Sequence, residues 1–106
     1  MVRSVKIIKL NKYKDIFVPA NQNLGNHEII FDTKNSQNFS IYFDLGDNFS
    51  EIFLYASSDL ENFIIYNIFT VINKKLITIN NFNFRYLKIK ITRGNIDIKI
   101  LISTIH

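Results

Sequence analysis

The residues able to do chemistry are few. His27 and Glu28 stand side by side, and the carboxylates Asp44, Asp47, Glu51, Asp59 and Glu61 cluster in one stretch of the chain. Paired carboxylates could cleave a glycosidic bond, or offer oxygens to calcium. Each has a plainer use. Asp44 and Asp47 flank Gly46, in a turn where aspartate is common for backbone reasons. His27 has no second histidine at ligand spacing, so His27-Glu28 reads as the start of a strand, and His106 is the last residue. There is no glycine-rich phosphate loop, no Gly-x-Ser-x-Gly elbow and no His-Glu-x-x-His. Absence of cysteine removes thiol nucleophiles, zinc thiolates and disulfides together. These residues predict a protein that is not an enzyme, with no cofactor and no metal site.

The elements that would position any site are strands. Of 106 residues, 20 are Ile, 10 Phe, 5 Tyr and 4 Val, against 8 Leu and 2 Ala. β-Branched and aromatic side chains suit a pleated, half-buried surface, and the good helix formers are scarce. With 47% apolar and 21% charged residues, the chain is folded, and its length predicts one domain over 1–106. Period-2 alternation predicts strands at Val5–Leu10, Glu28–Thr33, Phe39–Leu45, Glu51–Ser57, Phe63–Phe69 and Leu76–Ile79, with Ile16–Pro19 as a short edge piece. Residues 1–20 are either an edge strand or an arm. Residues 85–103 read as an antiparallel hairpin. Leu87, Ile89 and Ile91 point inward in its first strand and Ile96 to Ile102 form the second, joined by Arg93-Gly94-Asn95. The other turn signals are Asn21–Gly25, Lys34–Gln37, Gly46–Asn48, Ser57–Asp59, Asn73–Lys75 and Asn80–Asn83. About eight short strands at this spacing predict an all-β, antiparallel β-sandwich of jelly-roll type.

Two patterns exceed what folding needs. Phe39, Ile41, Phe43 and Leu45 make one face of their run, yet Tyr42 lies on the other; Ile52, Leu54 and Ala56 likewise oppose Phe53 and Tyr55. An outer sheet face is ordinarily polar. The N-terminal segment could cover these aromatics, Tyr42 and Tyr55 could be singly exposed, or Tyr42, Phe53 and Tyr55 could centre a subunit interface. The charge is also segregated: residues 1–14 carry +5, residues 15–73 carry −7 and residues 74–106 carry +6, within a net +4. The basic candidates are Arg85, Lys88, Lys90, Arg93 and Lys99. They read as a solvated face whose lysines protect sheet edges, or as a face that docks on an acidic neighbour. A nucleic-acid face is the third reading. Few aromatics interleave with these residues along the chain, which argues against nucleic acid as a partner.

The run Phe39-Ser-Ile-Tyr-Phe-Asp-Leu-Gly-Asp-Asn-Phe-Ser-Glu-Ile-Phe-Leu-Tyr55 resembles a signature of discoidin-like (coagulation-factor type C, galactose-binding-like) jelly rolls. In them an apolar strand ends in Asp-Leu-Gly, a short turn carries an aromatic, and an alternating strand follows. Asp44-Leu45-Gly46, Phe49 and the Ile52/Leu54 alternation are similar, as are Ser57-Ser58-Asp59 ahead of Phe63 and the late strand Phe84-Arg85-Tyr86-Leu87-Lys88-Ile89. The resemblance covers residues 39–92. It implies an eight-stranded sandwich used as a non-catalytic binding or assembly module, with carbohydrate as the possible ligand; the family's ligand-binding loops are poorly matched, so no binding residue carries over. No tryptophan is present to stack on a sugar.

Together these features predict a structural subunit acting through protein–protein contact, as a homo-oligomer or within a larger complex. A bacteriophage virion is the expected setting, as a head decoration, tail or baseplate accessory protein. The 14 asparagines, with Ile and Lys, fit the A/T-biased codons of a phage from a low-GC host. A carbohydrate-binding module is the alternative, and a polyanion- or nucleic-acid-binding protein the third. Lys6 and Lys9 break any apolar signal core, and the longest charge-free run, Asn62 to Asn73, is too short to span a membrane as a helix. The expected location is therefore the virion or the cytoplasm, without membrane insertion.

Overall fold

In a computed structural model of the chain, the described residues are 5–9, 16–19, 27–92 and 99–104. They form an all-β fold without a helix, so none is long and apolar enough to cross a membrane. The strands are β1 (Val5–Lys9), β2 (Ile16–Pro19), β3 (His27–Asp32), β4 (Phe39–Ser57), β5 (Ile64–Ile79), β6 (Tyr86–Ile91) and β7 (Lys99–Thr104).

Strand β4 organises the rest. One edge pairs with β5 along nearly its whole length, from Phe39 opposite Ile79 to Ala56 opposite Ile64. The other edge is shared: β7 takes residues 39–44 and β6 takes residues 52–57. Beyond these lie β3 and β1 on the β6 side, and β2 on the β7 side. The alternation expected of a half-buried strand is plain. Phe39, Ile41, Phe43, Leu45, Ile52, Leu54 and Ala56 are buried, with half-buried Ser40, Tyr42, Asp44, Phe53 and Tyr55 between them. The first set packs with Phe31, Phe82, Leu87, Ile89, Ile91, Ile100 and Ile102 into one core.

Several expectations are corrected. Residues 85–103 do not form a hairpin: β6 pairs with β3 and β4, and β7 with β2 and β4. Both run antiparallel to one edge of β4, at opposite ends of it, whereas the arms of a hairpin run antiparallel to each other. The expected inward positions Ile96 and Ile98, and the Arg93–Asn95 turn, lie outside the described residues, as does the Asn21–Gly25 turn. Gly46–Asn48 and Asn73–Lys75 do not end strands. They fall opposite one another, and the chain continues through them, so four expected strands are two. At that point β4 advances from Asp44 to Phe49 while β5 advances only from Lys74 to Ile72. The excess residues bulge out, which bends a strand pair without breaking it. Gly46 (φ 64°) and Asn73 (φ 61°) take the left-handed backbone the bend requires, and the Asn73 Nδ2 donates to the Gly46 carbonyl at 2.8 Å. The sheet is antiparallel apart from β1, which runs parallel to β3. Residues 5–9 and 16–19 are strands of the sheet.

Candidate interaction surface

Residues directly opposite on paired strands share a face, so the registers assemble the outer face row by row. Lys90, Phe53 and Ile68 make one row across β6, β4 and β5, and Lys88, Tyr55 and Ile65 make the next. Phe49 opposite Ile72 extends the surface toward the bend. The rings of Phe53 and Tyr55 are stacked, 6.3 Å apart and 14° from parallel. The Lys88 ammonium lies 4.7 Å from the Tyr55 centroid and 4.4 Å from that of Phe63, and Lys90 lies 6.0 Å from Phe53. Their stems cover apolar surface while their charges meet the ring faces.

The apolar part reaches further on β5 than on β4. Ile65 is 60% exposed, Ile68 45% and Ile72 68%, and past the bend Leu76, opposite Tyr42, is 63% exposed. Scattered exposed apolar residues need no explanation, but a contiguous set of this size on one strand pair does. These β5 residues are the part that reading the sequence for interface candidates missed. The signal was present in the charge-free run Asn62 to Asn73, where isoleucines occupy both alternating positions.

The interface candidates do not all meet. Phe53 and Tyr55 are together. Tyr42 lies on the far side of the bend, where its register partners are Leu76 and Leu101. The basic candidates also divide. Lys88 and Lys90 belong to the aromatic surface, whereas Lys99 begins β7 opposite Asp44. Arg93 lies outside the described residues. Arg85 sits just before β6; its Nε and Nη2 donate to the two carboxylate oxygens of buried Asp32, at 3.3 and 3.1 Å, and its guanidinium lies 5.2 Å over the Tyr86 ring. Hydrogen bonding and the charge of Asp32 raise the Arg85 pKa.

Arg85 also borders a cavity of about 340 Å³ at the loop end of the sheet, with Asn35, Gln37, Ser58, Asn83 and Phe84. Its walls are braced. The Thr33 amide donates to the Arg85 carbonyl at 2.8 Å, and the Phe82 amide to the Gln37 carbonyl at 2.9 Å. Lys34, Asn35 and Asn81 hold left-handed backbone conformations in the same loops. Such strain in residues other than glycine collects at functional loops.

Asp44 and Asp59 serve turns. Asp44 Oδ1 accepts the Gly46 amide. Asp59 accepts the Asn62 amide at 2.9 Å, the Asn62 Nδ2 at 2.9 Å, the Glu61 amide at 3.0 Å and the Ser57 hydroxyl at 2.9 Å. No group of three or more His, Asp or Glu gathers among the described residues. The Asn62 amide first, then its side chain, Glu61 and Ser57, hold the Asp59 carboxyl far below the usual carboxylate range. A depressed folded-state pKa gives stability that is present above the unfolded value and lost as pH falls through the folded one. The Asp59 side-chain carboxyl carbon resonance is therefore expected to stay fixed through about pH 4, where ordinary carboxylates titrate, and to move only in stronger acid. An NMR pH titration reads this directly; movement near pH 4 would mean the turn is not held by Asp59.

No family model matches the chain, and no curated protein matches it.

Proposed function

We propose that this chain is a non-enzymatic assembly subunit that acts through protein–protein contact at the outer face of β4 and β5. The observation that carries this reading is the contiguous exposed surface of Phe49, Ile65, Ile68 and Ile72 beside stacked Phe53 and Tyr55. Aromatic and aliphatic side chains flanked by cations are the make-up of a binding interface core and its rim. A two-layered, jelly-roll-like sandwich is the architecture we propose around it. The bend at Gly46 and Asn73 would let one half of the β4–β5 pair join β6, β3 and β1 and the other half join β7 and β2. The setting we propose is a virion, with the chain as a head decoration, tail or baseplate accessory subunit; the alternating basic and acidic blocks suit docking on neighbours.

The test is association. Sedimentation and native mass spectrometry of the wild type, alone and with particles, should find it in complexes. Phe49→Ser combined with Ile65→Ser should abolish association and leave the melting temperature nearly unchanged, since both side chains are mostly exposed. A wild type found only as a free monomer would overturn the reading.

The loop-end cavity supports a second reading, a carbohydrate-binding module. Carboxamides both donate and accept, as sugar hydroxyls do, and Asn35, Gln37 and Asn83 converge there with Ser58. Asp32 neutralises Arg85, which suits an uncharged sugar. A glycan array decides it.

A further inference from the structure

The inference rests on the assembly reading and names the partner. Among the described residues β5 is bonded to β4 alone, and no other described strand pairs with its far edge. A long apolar edge of this kind is a template for another strand. Its central sequence, Asn67-Ile68-Phe69-Thr70-Val71-Ile72-Asn73, is nearly the same read in either direction. The stretch 67–72 pairs with β4 without irregularity; the interruptions lie outside it, at Tyr66 and at Asn73.

We propose that β5 pairs antiparallel with β5 of a second copy of this chain, on a two-fold axis through Thr70. Two-fold interfaces are self-complementary, each residue meeting its symmetry counterpart. In this register Thr70 meets Thr70, Ile68 meets Ile72, Phe69 meets Val71 and Asn67 meets Asn73. Like side chains therefore lie opposite one another, and threonine and β-branched cross-strand pairs are favourable. The exposed Ile68 and Ile72 of both copies join into one apolar strip on the outer face.

The backbone is set for it. The Ile68 amide donates to its neighbouring Asn67 Oδ1 at 2.9 Å, so it is turned away from β4. By alternation the amides of Thr70 and Ile72 face the same open edge. Pairing exchanges the Asn67 cap for the Ile72 carbonyl of the second copy and gives the other amides partners. Charge agrees with the register. Lys74 and Lys75 fall beside the uncharged Ile65–Tyr66 end of the other copy, and no lysine faces a lysine.

The chain has no cysteine, so one can be added without background. Thr70→Cys places two thiols across the axis, where a hydrogen-bonded pair has Cα atoms about 5.5 Å apart, within the span of a disulfide, about 4.4–6.8 Å. Mild oxidation should convert this variant to a covalent dimer, and should leave Thr78→Cys, far from the axis on the same strand, uncrosslinked. Thr70→Pro removes an amide β4 does not use; it should keep the far-ultraviolet spectrum and lose self-association. Equal cross-linking of the two cysteine variants, or none in either, overturns the edge pairing. Complexes that persist with other proteins while Thr70→Cys fails to cross-link leave the assembly reading standing; a wild type that engages nothing overturns both.

Discussion

Replacing Phe82 with alanine is expected to destabilise the fold by about 3–5 kcal/mol, the usual cost of emptying a buried phenylalanine site. Phe82 belongs to no strand, yet it is fully buried. Its ring meets Phe39 edge-on at 5.4 Å, Tyr66 at 5.3 Å and Phe84 at 5.6 Å. It thereby ties the β5–β6 loop to β4 and β5, and its amide bonds the Gln37 carbonyl of the β3–β4 loop. Phe39, held by backbone pairing to β5 and β7, cannot collapse into the space. Against a total stability of about 5–15 kcal/mol for a domain of this size, the loss is at least a fifth of the whole. Urea unfolding should show a lower midpoint with an unchanged slope. A loss below about 1 kcal/mol would mean that the ring is not seated as described.

Phe82 also marks a limit of sequence reading. It lies in Asn80-Asn-Phe-Asn83, a polar cluster rightly read as a turn, where no periodicity assigns a face. Strands were more legible. Leu87, Ile89 and Ile91 point inward as their spacing requires, because period 2 is a property of the strand itself. Strand partners are not such a property. The runs on either side of Gly94 alternate cleanly, which is all a hairpin signal asks, yet both pair with β4, far back in the chain. Turn residues misled for a related reason. Gly46 and Asn73 do adopt left-handed backbone, but glycine and asparagine serve a bulge as well as a turn.

The surface was legible in part. Tyr42, Phe53 and Tyr55 stood out because they break the alternation of a strand whose other face is plainly core. That Phe53 and Tyr55 stack while Tyr42 lies beyond the bend depends on the excess residues of β4, which have meaning only against the count on β5. The aromatics among the basic residues were hidden likewise. Lys88 and Lys90 have few aromatic neighbours in sequence; Phe53, Tyr55 and Phe63 reach them from other parts of the chain.

Two aspartates placed one residue apart should have opposite outcomes. Leu54 is fully buried and Phe53 is half-buried on the outer face. Leu54→Asp loses the packing of a core leucine, about 2–5 kcal/mol. It also places a carboxylate opposite Ile89 in the core, where an unpaired ion costs several kcal/mol more. The sum consumes the stability of a domain of this size, so the variant should be unfolded by circular dichroism at 25 °C. Phe53→Asp faces Lys90 and Ile68 in the ladder. There an acid opposite a lysine replaces a ring beneath it, an exchange of two favourable cross-strand pairs. Its cost should stay within about 1 kcal/mol, while a charge at the centre of the apolar surface removes association in sedimentation. A one-residue slip in register would reverse both results, since it exchanges the faces of the whole strand. A folded Leu54→Asp beside an unfolded Phe53→Asp would therefore place the core on the other side of β4, and the interaction surface with it.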